Sequence, residues 1–163
     1  MTHRPSALKI LLEDRQKRVR VSGPRLIRWA QKILRALGWR RAVLSLVLVS
    51  DAEIRRLNRR YLSKDRTTDV LAFGQGPAGR PVSKKPFLGD VVVSVERARQ
   101  VAPQYGNRWD EELLLYTCHG VLHLMGYRDS LPRLKTRMDR RQEEILKKVL
   151  GQKWQSKKRK PLF

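Results

Sequence analysis

The sequence has a single cysteine, Cys118, so no disulfide can form within the chain and no cysteine cluster can build a zinc ribbon. A reducing, cytoplasmic setting fits that scarcity. Long apolar runs are also missing. The residues after Met1-Thr2-His3-Arg4-Pro5 contain no signal-type apolar core, and the run ending at Val49 is far too short to cross a bilayer, so no membrane partner is expected. No internal repeat is visible, and no helix-turn-helix or zinc-finger spacing points to sequence-specific DNA binding. Acidic residues are few: 15 Asp and Glu against 37 Lys and Arg leave a formal net charge of +22. The excess is spread along the chain rather than confined to a tail. It favours a polyanionic partner, nucleic acid first, over a surface tuned only for solubility.

What is present suggests one folded domain. A chain of 163 residues can bury a sizeable core. Residues 7–12 alternate weakly and read as a strand. Pro24 opens a helix whose apolar stripe includes Leu26, Ile27, Ala30, Ile33 and Leu34, and Gly38 closes it. Trp29 and Trp39 are assigned to the core rather than to base stacking. Residues 43–49 form a buried strand. Ser50 and Glu53 then make a capping box for a helix reaching about Tyr61. Residues 69–73 and 88–95 are strands, the second interrupted by Asp90, which is either a structural acceptor or part of a site. Residues 96–101 form a short helix. Residues 74–86, rich in Gly and Pro, form a flexible connection. The expectation is an α/β (α+β) single domain: a small mixed sheet of about four strands, covered by helices. Residues 152–163, with Lys157-Lys158-Arg159-Lys160, read as a disordered basic arm able to grip RNA.

Chemistry concentrates in His119-Gly-Val-Leu-His123-Leu-Met-Gly-Tyr-Arg-Asp129. Two histidines four apart in a helix spanning residues 109–125 project from one face, where both ring nitrogens can grip one metal ion. Spacing alone leaves a structural, hydrogen-bonded His pair as an equal alternative. The metalloprotease pattern needs Glu beside the first His, and here that position is Gly120. Gly126 ends the helix and the chain returns to Asp129, a possible third ligand. Asp129 is also a plausible cap for the helix that starts near Ser130-Leu131-Pro132 and runs to about Leu150, though ligation is the favoured reading and one oxygen could ligate while the other caps. An anionic third ligand lowers the charge of the site and widens the choice of metal beyond zinc. Glu112 and Tyr116 lie on the His side and are candidates for orienting ligands or substrate.

The full string resembles the signature of the YbeY family, H-G-x-L-H-L-x-G-Y-D-H. His119, Gly120, Leu122, His123, Leu124, Gly126 and Tyr127 match. Further blocks match in order: Leu57-Asn58 to Tyr61, residues 68–73, residues 88–94, and Met138 with Glu143-Glu144-Ile145-Leu146. The resemblance covers roughly residues 5–150. It implies a metal-dependent, single-strand-specific endoribonuclease that matures ribosomal RNA, notably the 3′ end of the small-subunit RNA, with Zn2+ as cofactor and the small ribosomal subunit as partner. Residues 1–151 are then the catalytic domain, with the metal site on a central helix. Two departures stand out. The family's third His falls on Asp129, with Arg128 in the slot of the family's Asp, and the family's Arg after the Tyr of the second block is Leu62. Arg59 and Arg128 are the expected substitutes for that arginine, stabilising charge on the scissile phosphate. Arg55, Arg56 and Arg60 are the expected RNA contacts on the same helix. The rival reading is a non-catalytic RNA-binding assembly factor with the same fold.

Overall fold

The computed structural model describes residues 7–74 and 86–154. The strands are β1 (Leu8–Asp14), β2 (Ala42–Val49), β3 (Val70–Phe73) and β4 (Phe87–Ser94). The helices are α1 (Gly23–Ala36), α2 (Asp51–Leu62), α3 (Val95–Val101), α4 (Trp109–Leu124) and α5 (Pro132–Leu150), with a 3-10 turn over Ala102–Tyr105. One mixed sheet runs in the order β1-β2-β4-β3. β1, β2 and β4 are parallel, and β3 pairs antiparallel with β4 at the edge. The four-stranded α+β architecture is the one expected from the pattern of elements.

Alternation along the strands divides the interior. Leu44, Leu46 and Leu48 of β2 and Val91 and Val93 of β4 face a large core shared with α1, α4 and α5. Val47, Val49 and Val92 face the opposite side, where Ile54 and Leu57 of α2 cover them. β1 continues to Asp14, two residues past its expected end, because its parallel register with β2 holds that far, Asp14 lying opposite Leu48. The register of β2 with β4 slips at Val43/Leu44, opposite Gly89. Gly89 adopts φ +134°, and a Cβ there would run into the Phe73 carbonyl, so glycine is required.

Serines start three helices. Ser22, Ser50 and Ser94 each accept a hydrogen bond from the backbone amide three residues on. Only half of the expected Ser50–Glu53 box is in evidence, since the Glu53 carboxylate is engaged by Arg15 at 3.2 Å and Arg56 at 3.5 Å. Trp29 and Trp39 pack against the main core as expected, and the Trp39 ring N–H donates to Met125 Sδ at 3.2 Å. The connection over 74–86 and the basic arm fall largely outside the described residues, including all of 155–163. No helix among the described residues is long and apolar enough to cross a membrane.

Candidate metal centre

Helix α4 is the axis of the core. Every residue from Glu112 to Leu122 is buried. Its first turn carries Asp110, Glu111 and Glu112, acids that suit the positive end of the helix. Asp110 takes hydrogen bonds from Arg25 at 3.0 Å and Arg108 at 2.8 Å, which ties α1 to the start of α4. Cys118 is fully buried, and burial pushes its thiol up to about 12, so it is an inert packing residue.

Near the other end, Gly120 lets α4 lie directly on the sheet. A Cβ at this position would stand 2.6 Å from Val91 Cγ1 and 2.9 Å from Val70 Cγ2. This explains the missing peptidase glutamate in physical terms: the slot faces packed valines, not a substrate. Flanking it, His119 is buried and His123 half-buried, with side chains 8% and 31% exposed. Gly126, at φ +94°, reverses the chain, and its amide donates to the His123 carbonyl at 3.0 Å. The turn returns Asp129 to the histidines.

Three donor atoms converge. His119 Nε2 and His123 Nε2 are 3.1 Å apart. Asp129 Oδ2 lies 3.4 Å from the first and 3.5 Å from the second. A small ion with tetrahedral bonds of ~2.0–2.1 Å sets its ligand atoms about 3.3 Å apart, so the observed triangle is close to the right size. The other ring nitrogens fix the tautomers. His119 Nδ1 is 3.1 Å from Gln142 Oε1, and His123 Nδ1 is 3.0 Å from the Tyr127 carbonyl oxygen. Both partners can only accept, so each Nδ1 donates its proton and each Nε2 is left with a bare lone pair. Two lone pairs and a carboxylate oxygen at this range repel one another unless a positive centre lies among them. A proton can serve one pair, whereas a divalent ion serves all three. The cluster could therefore hold a metal ion.

Electrostatics keep the donors in ligand form. When a proton stands in for the ion, the hydrogen bond from the His119 ring is the main influence holding the Asp129 carboxyl below the usual carboxylate range, against partial burial, and His123 adds to it. Burial, then the neighbouring His119, holds the His123 imidazole below its ordinary value. At neutral pH the set is therefore an ionised carboxylate and a neutral His123. The capping alternative for Asp129 fails: the cap position of α5 is Leu131, with no side-chain hydrogen bond.

The remaining candidates are dispersed. Arg128, exposed, precedes Asp129 in the turn. Arg55, Arg56, Arg59 and Arg60 lie on α2, which covers the opposite face of the sheet from α4. Arg55 pairs with Asp65 at 2.9 Å and Arg56 with Glu53, so part of that face is neutralised. Leu62, the departure from the family's arginine, is 48% exposed and leaves an apolar side chain at the end of α2. Asp90 sits in register between Ser45 and Phe73 and does not join the cluster. Glu112 is buried and accepts from Asn107 at 3.2 Å, which makes it part of the scaffold of α4. Asp69 is buried against Arg97 at 3.2 Å, and burial raises its carboxyl despite that partner.

Sequence reasoning missed Gln142. A glutamine on a long basic helix carries no signal by itself; only its place on the buried stripe with Met138, Ile145 and Leu146 could have marked it. Its role is testable. Gln142→Leu keeps the volume but removes the acceptor, and is expected to weaken metal affinity by ~10–100-fold, measured by chelator competition. Gln142→Glu, which still accepts, should retain most of it. Equal affinity in the Leu variant and the wild type would remove Gln142 from the site.

Comparison with known proteins is decisive on family. The family model for endoribonuclease YbeY matches residues 11–150. The chain belongs to the endoribonuclease YbeY family. A Myxococcus xanthus endoribonuclease YbeY is 43% identical over 123 residues, 74% of this chain but only 41% of that relative's length. A Geobacter metallireducens endoribonuclease YbeY is 38% identical over 120 residues, covering 74% of this chain and 80% of the relative. A solution structure from Thermotoga maritima superposes with a TM-score of 0.59 at 26% identity, covering 89% of this chain and 90% of that one. Within this YbeY-family chain, the matched span takes in α4, the Asp129 turn and all of α5, so Gln142 belongs to the family region as well.

Proposed function

We propose that the protein is a metal-dependent, single-strand-specific endoribonuclease that matures ribosomal RNA in the cytoplasm, acting at the 3′ end of the small-subunit RNA and meeting the small ribosomal subunit as partner. The observation that carries the reading is the convergence of two tautomer-fixed imidazoles and one carboxylate on a space the size of an ion. His119, His123 and Asp129 would hold Zn2+, and the oxygen donor also suits a harder divalent ion. Three protein ligands leave room for substrate, and such an ion supplies Lewis acidity that polarises a phosphate oxygen and acidifies water.

The chain's own groups do the rest. Gln142 and the Tyr127 carbonyl aim the imidazoles. Asp129 contributes a negative charge that offsets the ion. Arg128, exposed in the turn beside Asp129, is placed to meet charge building on the phosphate oxygens, with Arg59 a more distant second. Residues 1–151 form the catalytic unit in this reading, and 152–163 a basic extension.

The test is a metal analysis of purified protein paired with cleavage of a single-stranded RNA. Bound zinc, or another divalent ion, in about one equivalent, with cleavage lost in chelator and kept after mock treatment, is the expected result. RNA binding without cleavage at any metal loading would favour the non-catalytic assembly factor, which the Asp129 and Leu62 departures suggest.

A further inference from the structure

Among the described residues, the ion pairs of α5 are all made within the helix itself. Arg133, Arg137 and Arg140 are exposed and form no ion pair among the described residues, and neither does Arg128 in the turn before the helix. The acids of α5 are used elsewhere: Asp139 pairs with Lys135 at 2.6 Å, Glu144 with Arg141 at 2.8 Å and Glu143 with Lys147 at 3.4 Å. Arg141 is also committed to structure, donating to the Ala36 carbonyl at the end of α1 at 3.2 Å. Contrast α2, where Glu53 and Asp65 neutralise two of the arginines.

These free cations line a continuous surface. A cleft of about 440 Å³ is bordered by Arg133, Arg137, Arg140, Arg141, Glu144 and Tyr127. A second, of about 250 Å³, shares Tyr127 and Arg137 and adds Arg128, Met125 and Leu134. Tyr127 joins both clefts to the metal centre, because its own carbonyl accepts from His123. Arg133, Arg137 and Arg140 recur at helical spacing, so their backbone positions succeed one another every ~4.5–6 Å along the axis. Arginine suits repeated phosphates better than a point charge would, because its planar fork binds two oxygens at once. Tyr127, half-buried where the clefts meet, packs part of its side chain against the main core and leaves the remainder at the surface for a base to contact.

We propose that this α5 groove is a second RNA-binding surface, which takes the phosphate backbone of the strand as it leaves the metal centre past Tyr127. The proposal rests on the endoribonuclease reading and extends it: α4 supplies the chemistry and α5 the grip. An acidic protein segment would find the same charge, but the regular cation spacing and the ring beside it fit a nucleic acid strand better.

The experiment uses the full chain and single-stranded RNA in chelator, so that the strand stays intact. Arg133→Gln, Arg137→Gln and Arg140→Gln are combined in one variant. A control loses three charges from the exposed face of α1 through Arg28→Gln, Lys32→Gln and Arg35→Gln. The groove variant should bind a long strand on the order of tenfold more weakly, with the slope of log affinity against log salt reduced by about 2, as loss of three phosphate contacts requires. Lengthening the strand should strengthen binding by the wild type and not by the groove variant. The control should match the wild type. Unchanged affinity and slope in the groove variant would overturn the proposal, as would an equal loss in the control, which would reduce the effect to net charge. Binding is read separately from cleavage. A wild type that binds with the full slope but never cuts would sink the catalytic reading and leave the groove.

Discussion

His123→Ala is expected to abolish cleavage of single-stranded RNA while leaving the metal-free fold intact. The substitution removes one of three donors that lie within 3.1–3.5 Å of one another. The loss in metal affinity should exceed the ~10–100-fold cost of losing an outer hydrogen-bond partner, because a bond to the ion itself is gone. The metal-free protein should not pay for this. His123 is half-buried, and its bare Nε2 confronts that of His119, so truncation relieves a repulsion as well as removing packing. Two melting curves separate the effects. Added zinc should raise the wild-type midpoint, as any ligand of the native state does, and should leave the variant's midpoint where it was. Cleavage by the Ala variant at the wild-type rate would remove the histidine pair from the chemistry.

Gly120→Val is expected to give the largest loss of stability among single changes at the site. The first added carbon already meets Val91 at 2.6 Å and Val70 at 2.9 Å, and two further methyl groups follow it. Overpacking of this kind costs ~1–3 kcal/mol and occasionally more, and a gain in helix propensity of under ~1 kcal/mol cannot offset it. For a chain of this size, about 3 kcal/mol lowers the melting midpoint by roughly 6–12 °C. The alternative to unfolding is displacement of α4 away from β3 and β4, which would carry His119 and His123 off Asp129. Thermal unfolding monitored by circular dichroism measures the first outcome and chelator competition the second. A variant with wild-type midpoint and metal affinity would show that the contact between helix and sheet is looser than the distances imply.

The parts of the fold that could be read from the chain are those specified locally. Apolar periodicity marked α1 and α5, the Ser50 cap marked where α2 begins, and the Val- and Leu-rich run over 43–49 marked a buried strand. The His119–His123 spacing and Gly126 gave two candidate ligands and the turn, because a helix face and a glycine reversal are short-range properties. Asp129 stayed ambiguous between capping and ligation, since both use a carboxylate at the same place in the sequence; the position of Leu131 at the helix start removes the capping reading. Gln142 was illegible because its function depends on a neighbour 23 positions away. The α5 groove was hidden for a related reason. In sequence every arginine looks alike, and only the three-dimensional pairing of acids shows which guanidinium groups remain without a counterion.

Gln142 steadies His119 from the buried stripe of α5, while the arginines occupy the outer side of that helix. The same helix therefore touches a candidate ligand on one side and the proposed strand on the other. Docked RNA that stiffens α5 would tighten hold of the ion, and by thermodynamic reciprocity a loaded ion would tighten hold of RNA to the same degree.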